Sequence, residues 1–351
     1  MDKLNKKQQN LIVIFLKKET IRSSEVHAEL VKSGDNVSLV TVKRALSKLA
    51  EAGILTTSGS GRSASYNLSP AGRILAEVDA HEYCAIEPDK RYGLNRYNFA
   101  LLAAWPPALF TGDELKILDG ATAEYKSRTK KLPEAIQKKE LERLIIELSW
   151  KSSKIEGNTY TLLDTEKLIL ENKPAAGHDR KEAQMILNHK DAFNFVRSSA
   201  AQFKTITRKN LEDLHAILVN NLTVGLGLRG KPVGVVGSIY RPLDNIYQIT
   251  EAVGALGAAV SRAQTAYEKA LIALLGIGYI QPFADGNKRT SRLAANALLL
   301  AHGLAPLSYR SIDEAEYREA MLVFYELNSA MPFKKIFIDQ YDFAARNYAA
   351  K

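Results

Sequence analysis

The residues best suited to chemistry lie together in Gln281-Pro-Phe-Ala-Asp-Gly-Asn-Lys-Arg-Thr-Ser-Arg292, a polar stretch between two apolar runs, Ala266 to Ile280 and Leu293 to His302. Such runs predict two buried helices joined by a short loop, and Gly286 permits tight backbone approach in it. The loop N–H groups would open where the second helix begins, and there the helix dipole favours an anion. Arg289 and Arg292 stand three apart, so they share one helical face and can converge on that anion. Asp285 offers hard oxygen ligands of the kind that suit Mg²⁺ bridging phosphate oxygens. Loop amides, two arginines and a carboxylate together point to a bound polyphosphate.

The same residues resemble the core motif of the Fic family: His, any residue, Phe, any, Asp or Glu, Gly, Asn, any, Arg, two more residues, Arg. Phe283, Asp285, Gly286, Asn287, Arg289 and Arg292 match it. The resemblance implies a protein adenylyltransferase, which binds ATP with Mg²⁺ and transfers AMP to a Ser, Thr or Tyr hydroxyl of a target protein. It further implies that Phe283, Gly286, Asn287, Lys288, Arg289 and Arg292 bind the nucleotide. Asn287 and Arg289 would share in catalysis, and Asp285 would hold the metal.

One position departs, and it carries the most weight. The family's histidine, which by resemblance is the general base for the attacking hydroxyl, is Gln281 here. An amide has no usable basicity near neutral pH, and general-base help is worth roughly 10² to 10⁴ in rate. Positioning and charge stabilisation would remain. Lys288 departs more mildly: adenylylating members mostly carry Gly there, whereas the Doc-type toxin kinases often carry Lys.

Upstream, Trp150-Lys-Ser-Ser-Lys-Ile-Glu-Gly-Asn158 closes a helix expected to include about 140–158. Ser152, Glu156 and Gly157 resemble the family's inhibitory motif. The resemblance implies that Glu156 pairs with Arg292 and stops the γ-phosphate from docking productively. A carboxylate competing with a phosphate for one guanidinium is physically sound. By itself, Ser-x-x-x-Glu-Gly also describes any helix that ends at a glycine.

These residues need elements to position them. Thr111 caps a helix through Leu115, Leu118 and Tyr125, and Pro133 opens the next. Helices follow over Asp164–Glu171, Lys181–Phe195, Thr207–Asn220, Glu251–Arg262 and Tyr267–Ile280, with Asp313–Tyr348 also helical. Between them, Val233 to Tyr247 alternates β-branched and glycine residues and predicts a short hairpin. Its place matches the Fic flap, which aligns a target segment by strand addition. Ser238, Ile239, Tyr240 and Ile246 are its candidate contacts, with Tyr240 and Ile246 placed to hold the target or cover the base.

Residues 1–75 read as a separate unit. Three helices are expected, the first over Leu4–Lys17, the second capped by Ser23 or Ser24 and the third by Ser38. A two-stranded hairpin over Ile54–Thr57 and Ser63–Leu68 follows. The unit resembles bacterial winged helix-turn-helix regulators, in which the third helix enters the major groove of duplex DNA. Thr41, Arg44 and Lys48 on that helix, and Arg62 at the wing tip, are the candidate DNA contacts; the same fold also serves as a protein-contact module. Residues 76–110, with Tyr83, Tyr97, Phe99 and Trp105 among prolines and glycines, read as a connecting segment packed on the main domain. Residues 111–351 are then the Fic-type domain, so the expected fold is mainly α with two small hairpins.

Composition bounds the rest. Apolar content of 46% and charged content of 25% are those of a soluble globular protein. No apolar run reaches the roughly 18 residues of a membrane span, and the first residues lack a signal-peptide core. The lone Cys84 leaves no internal disulfide or cysteine metal cluster. A cytoplasmic protein without a membrane partner is expected. The net charge of +9 favours anionic partners. Partners expected are ATP, a target protein, duplex DNA and, as a homodimer, a second copy. Three readings follow: an ATP-binding protein with little transfer activity, an active AMP transferase despite Gln281, and a Doc-like phosphotransferase suggested by Lys288.

Overall fold

In the computed structural model, which describes residues 4–348, fifteen α-helices and three short strands follow one another along the chain. The first helices are α1 (Lys6–Lys17), α2 (Ser23–Lys32) and α3 (Leu39–Glu51). They pack with an antiparallel sheet of order β1-β3-β2, formed by β1 (Ile21–Arg22), β2 (Leu55–Ser58) and β3 (Ser65–Leu68). The Ser38 hydroxyl accepts the Thr41 N–H and starts α3, which buries Val42, Leu46 and Leu49 on one stripe. Its other stripe, with Thr41, Lys43, Arg44, Ser47 and Lys48, is exposed.

Two local expectations change here. The hairpin gains β1 as a third strand, through Ile21 opposite Tyr66 and Arg22 opposite Ser65. The residue before α2 is Arg22, not Ser23 or Ser24, because the Glu25 carboxylate reaches back to accept the Arg22 N–H at 2.8 Å.

Short helices α4 (Pro70–Ile74) and α5 (Ala80–Cys84) precede an irregular stretch. Then come α6 (Gly112–Lys131), α7 (Glu134–Ile155), α8 (Leu162–Glu171), α9 (Arg180–Ser198), α10 (Arg208–Leu218) and α11 (Ile246–Arg262). The last four are α12 (Ala266–Ile280), α13 (Asn287–Ala301), α14 (Glu314–Leu327) and α15 (Met331–Asn347). Thr111 caps α6 and Pro133 precedes α7, as their side-chain chemistry predicts. α12 is buried on almost every side, which is why it shows no polar face in the sequence, whereas α13 is buried almost as fully although its first six residues, Asn287 to Arg292, are all polar. α12 packs against both α11 and α13 and forms the centre of the core.

The stretch ahead of α6 packs in part, and Phe99, expected to pack with it, is 58% exposed. Tyr97, Leu101, Trp105 and Phe110 join the main core, and the Tyr97 ring stacks on Tyr279 with centroids 4.9 Å apart. The apolar side chains of α1, α2 and α3 form a second cluster that extends to Tyr83 and to Val323 and Leu327 of α14.

The mainly helical class is as expected, but the hairpin expected over 233–247 does not form. Among the described residues this segment holds no strand, only an isolated bridge between Arg96 and Arg241. Pro232 and Pro242 remove two ladder donors. Two of the remaining N–H groups find partners elsewhere: that of Ile239 reaches Glu326 at 3.1 Å, and that of Arg241 reaches the Asn95 carbonyl at 3.0 Å. α11 takes the end of the segment, beginning at Ile246 and not at Glu251. No helix among the described residues is long and apolar enough to cross a membrane.

Candidate functional site

The turn between α12 and α13 is fixed by side chains that bond its backbone. α12 ends at Ile280 and is capped by Gln281, whose φ of 51° is left-handed and whose N–H still reaches the Ile277 carbonyl at 3.0 Å. Asn287 closes the turn from the other side: its Oδ1 accepts the Phe283 N–H and its Nδ2 donates to the Phe283 carbonyl, both at 2.8 Å. Arg229 braces the same backbone, its Nε donating to the Gln281 carbonyl at 2.6 Å and its own N–H to that of Pro282 at 3.0 Å. The Phe283 ring is fully buried and stacks on His215 at 3.8 Å. His215 Nε2 lies 2.9 Å from the Asp285 carbonyl, which can only accept, so Nε2 carries the hydrogen. Burial holds the His215 pKa below its ordinary value, so the ring is neutral.

Gly286 completes the turn with a φ of 80°, and a Cβ there would meet Val219 at 3.3 Å. The first turn of α13 therefore begins at a locked loop, with its leading N–H groups lacking helical acceptors. Arg289 is buried beside it. One of its terminal nitrogens contacts Asp285 at 3.3 Å, and the other, Nη1, is buried without a partner. An unpaired buried guanidinium nitrogen at a helix N-terminus suits an incoming anion.

Arg292 is fully buried and fully engaged. Its Nε donates to the Ser152 hydroxyl and its Nη2 to the Ser152 carbonyl, each at 2.8 Å. Nη2 also donates to Glu156 Oε1 at 2.9 Å, and the guanidinium lies 5.5 Å from the Tyr317 ring centroid. Glu156 divides itself between two cations, for its Oε2 lies 3.5 Å from Lys288 Nζ. Burial alone would raise the Glu156 pKa, but Arg292 and then Lys288 outweigh it and hold the carboxyl below its ordinary range. The pair thus stays ionised, with the carboxylate on the face of Arg292 nearest the cavity.

That cavity, of about 370 Å³, is lined by Glu156, Gly157, Val235, Lys288, Tyr317, Arg318, Met321 and Tyr325 among others. Sequence reasoning singled out Glu156, Gly157 and Lys288 but missed the α14 side chains. Their signal was present: Tyr317, Met321 and Tyr325 recur every four residues and so fall on one helical face. The bracing roles of Arg229 and His215 have no local signature, since their partners are backbone groups of a distant turn.

Several expected contacts stand elsewhere. Gln281 is only 7% exposed, and its Nε2 donates to the Gly278 carbonyl at 2.6 Å, so the amide is tied to its own helix. Phe283 holds the loop from beneath and presents no ring surface to a ligand, because the stack on His215 buries it. Asn287 spends both ends of its amide on Phe283. Tyr240 is 2% exposed and donates its hydroxyl to the Tyr279 carbonyl at 2.8 Å, so it is a core residue and does not hold a target. Ser238 and Ile239 bond Glu326, while Ile246 is exposed at the start of α11. Thr41, Arg44 and Lys48 are exposed on α3, and the side chain of Arg62 lies outside the described residues.

Asp285 fits a hard cation as one ligand. Its side chain is 66% exposed, with Oδ1 accepting the Gly286 N–H at 2.6 Å and Oδ2 facing Arg289 at 3.3 Å. No group of three or more His, Cys, Asp or Glu side chains converges among the described residues. Asp285 is the residue that would hold such an ion, and the ion would supply positive charge beside a bound phosphate.

Residues 205–299 match the Fic/DOC family. The chain is 30% identical over 166 residues to the protein adenylyltransferase Fic of Drosophila mojavensis, covering 46% of this chain and 33% of that protein. Its counterpart in Drosophila ananassae is 29% identical over the same share of each. The chain thus spans about a third of the length of these curated relatives. Among solved structures, Fic-1 from C. elegans superposes with a TM-score of 0.56 at 19% identity, covering 67% of this chain and 71% of that one. A Fic family protein from Desulfovibrio desulfuricans G20 gives 0.56 at 22% identity, covering 69% and 75%. At such identities the superpositions speak for the fold.

Proposed function

Taking the Fic/DOC domain at residues 205–299 as premise, we propose that this chain binds ATP at the start of α13 and transfers AMP to protein hydroxyls only feebly. The observation that carries this reading is the Glu156–Arg292 ion pair beside the cavity. A triphosphate entering along α13 meets the leading amides, Arg289 with its unpaired nitrogen, and then a guanidinium already neutralised by a carboxylate. In this reading the terminal phosphate must displace Glu156 to reach Arg292, and Asp285 would hold Mg²⁺. Where bound, that ion would offset phosphate charge. ATP follows from relatives named as adenylyltransferases.

Two features limit transfer. Glu156 restrains the nucleotide, and Gln281 supplies no base where the family places a histidine. The test uses ATP labelled at the α- or the γ-phosphate, incubated with the chain and a lysate. Weak α-label transfer with micromolar to millimolar ATP binding supports the reading. Rapid α-label transfer overturns the restraint, and γ-label transfer favours the Doc-like orientation. Arg289→Ala should weaken ATP binding by about 1.5–3 kcal/mol, the usual worth of a charge-assisted bond.

A second role is proposed for the N-terminal unit, as a winged helix that binds duplex DNA. The supporting observation is the polar stripe of α3, which leaves Thr41, Lys43, Arg44, Ser47 and Lys48 exposed opposite a fully buried apolar stripe.

A further inference from the structure

Glu326 is fully buried on α14, yet its carboxylate does not contact the turn between α12 and α13. It gathers groups from two remote parts of the chain. Oε2 accepts the Tyr83 hydroxyl at 2.7 Å. Oε1 accepts the Ser238 hydroxyl at 2.7 Å and the Ile239 N–H at 3.1 Å, and lies 3.4 Å from Arg91 Nη1. A buried carboxylate is costly unless it is paired and hydrogen-bonded, and this one is both.

Arg91 extends the arrangement. The same Nη1 donates to the Gly237 carbonyl at 2.8 Å, while Nε and Nη2 donate to the carbonyls of Ile86 and Cys84 at 2.8 and 2.9 Å. The backbone follows the same line: Leu94 N–H donates to the Glu326 carbonyl at 2.6 Å, and Arg241 N–H to that of Asn95 at 3.0 Å. Gly93 makes the approach possible. Its φ is +137°, and a Cβ there would fall 2.6 Å from the Glu326 carbonyl oxygen.

The segment held in this way walls the cavity. Val235 and Val236 line it from the loop, and Tyr317, Met321 and Tyr325 line it from α14, the helix that carries Glu326. We infer that Tyr83, Arg91 and Glu326 form a buried clasp that positions loop 233–241 against the proposed nucleotide cavity, which makes the segment ahead of α6 part of the site. The inference rests on the ATP-binding reading for its ligand but not for its geometry. Residues that never touch the nucleotide would then set its affinity, through the loop they hold.

The experiment measures backbone amide exchange of residues 233–241 in the full chain, together with ATP affinity in a Glu156→Gly chain. Arg91→Ala is expected to speed exchange at Ser238 to Arg241 about tenfold or more and to weaken ATP about tenfold. Tyr83→Phe, which removes one hydroxyl, should do both more mildly and keeps the test available if Arg91→Ala fails to fold. Glu326→Gln retains an acceptor for Ser238 and Ile239, so it should preserve loop protection that Glu326→Ala loses. Variants that lower thermal stability but leave loop exchange and ATP affinity unchanged would overturn the clasp. If Glu156→Gly binds no ATP while Arg91→Ala still frees the loop, the clasp stands and the nucleotide reading fails.

Discussion

Glu156 and Arg292 lie 2.9 Å apart although 136 residues separate them in sequence. The pair is uneven: the arginine side chain is wholly buried, whereas the carboxylate keeps 19% of its surface exposed at the cavity. A buried guanidinium needs its partners, and Ser152 supplies two of them from the last turn of α7, the helix that Glu156 caps. The carboxylate is therefore the partner that an incoming anion can replace.

Glu156→Gly should raise ATP affinity at least tenfold, equivalent to about 1.4 kcal/mol. Lys288 gains as well, since the same change frees its ammonium beside the cavity. The unliganded variant should melt below the parent, and saturating ATP should recover the difference. Calorimetry gives the affinity and a thermal melt gives the linkage. Equal affinities for variant and parent would count against a restraining role.

The turn was legible in the sequence because its motif residues sit within a few positions of one another, and local spacing fixes which share a face. Glu156 was legible only through resemblance, since nothing local says which arginine it meets. The flap was misread because alternation of Val and Gly signals a strand only when a partner strand exists. Here Val236 is 99% exposed and the neighbouring amides bond Glu326 and Asn95 instead. Tyr240 was misassigned for a related reason. An aromatic in a loop looks available, and only tertiary packing reveals its stack on Tyr279 at 4.6 Å.

Acid should destabilise the chain earlier than its carboxylates alone imply. His189 is fully buried with neither ring nitrogen paired, and burial, then Arg292 and Arg289, push its pKa well below the ordinary value. His215 is lowered too, chiefly by burial. Both return to about 6.5 when unfolded, so below that pH the unfolded chain binds protons that the folded chain refuses. Their contribution is present above pH ~6.5 and is lost as pH falls below it. Urea midpoints should drop between neutral pH and pH 5, and His189→Asn should flatten that slope. Glu156, held below its ordinary range, should stay ionised across this window, so mild acid should not tighten ATP binding. A midpoint that is constant over the range would refute the histidine argument.

The α3 stripe predicts weak, salt-dependent binding of duplex DNA by the full chain. Each phosphate contact removed should shrink the slope of log affinity against log salt by about 0.9. Arg44→Ala and Lys48→Ala are the substitutions to compare, by gel retardation over a salt series. A folded chain that retards no duplex at low salt would favour a protein-contact module.

Gln281→His should increase AMP transfer, most visibly beside Glu156→Gly. The two changes act on separate steps. Removing Glu156 lets the triphosphate reach Arg292, and an imidazole at 281 supplies a base whose unperturbed pKa, about 6.5, suits neutral pH. The backbone there accepts the change, for histidine is among the residues enriched in the left-handed region that Gln281 occupies at φ 51°. What is lost is the 2.6 Å bond from the Gln281 amide to the Gly278 carbonyl, at the buried end of α12. That costs about 0.5–1.5 kcal/mol of stability, which a 351-residue fold tolerates. General-base assistance predicts a gain of roughly 10² to 10⁴ in the double variant. Each single variant should gain little, because a base beside a misplaced nucleotide, or an aligned nucleotide without a base, leaves one step undone. The assay follows α-labelled phosphate from ATP onto the chain itself and onto lysate proteins, for the parent, both single variants and the double variant. A double variant that binds ATP yet labels nothing would show that Gln281 is not what disables transfer. A parent as fast as Gln281→His would show that another residue or solvent takes the proton, and that the missing histidine is not what limits transfer.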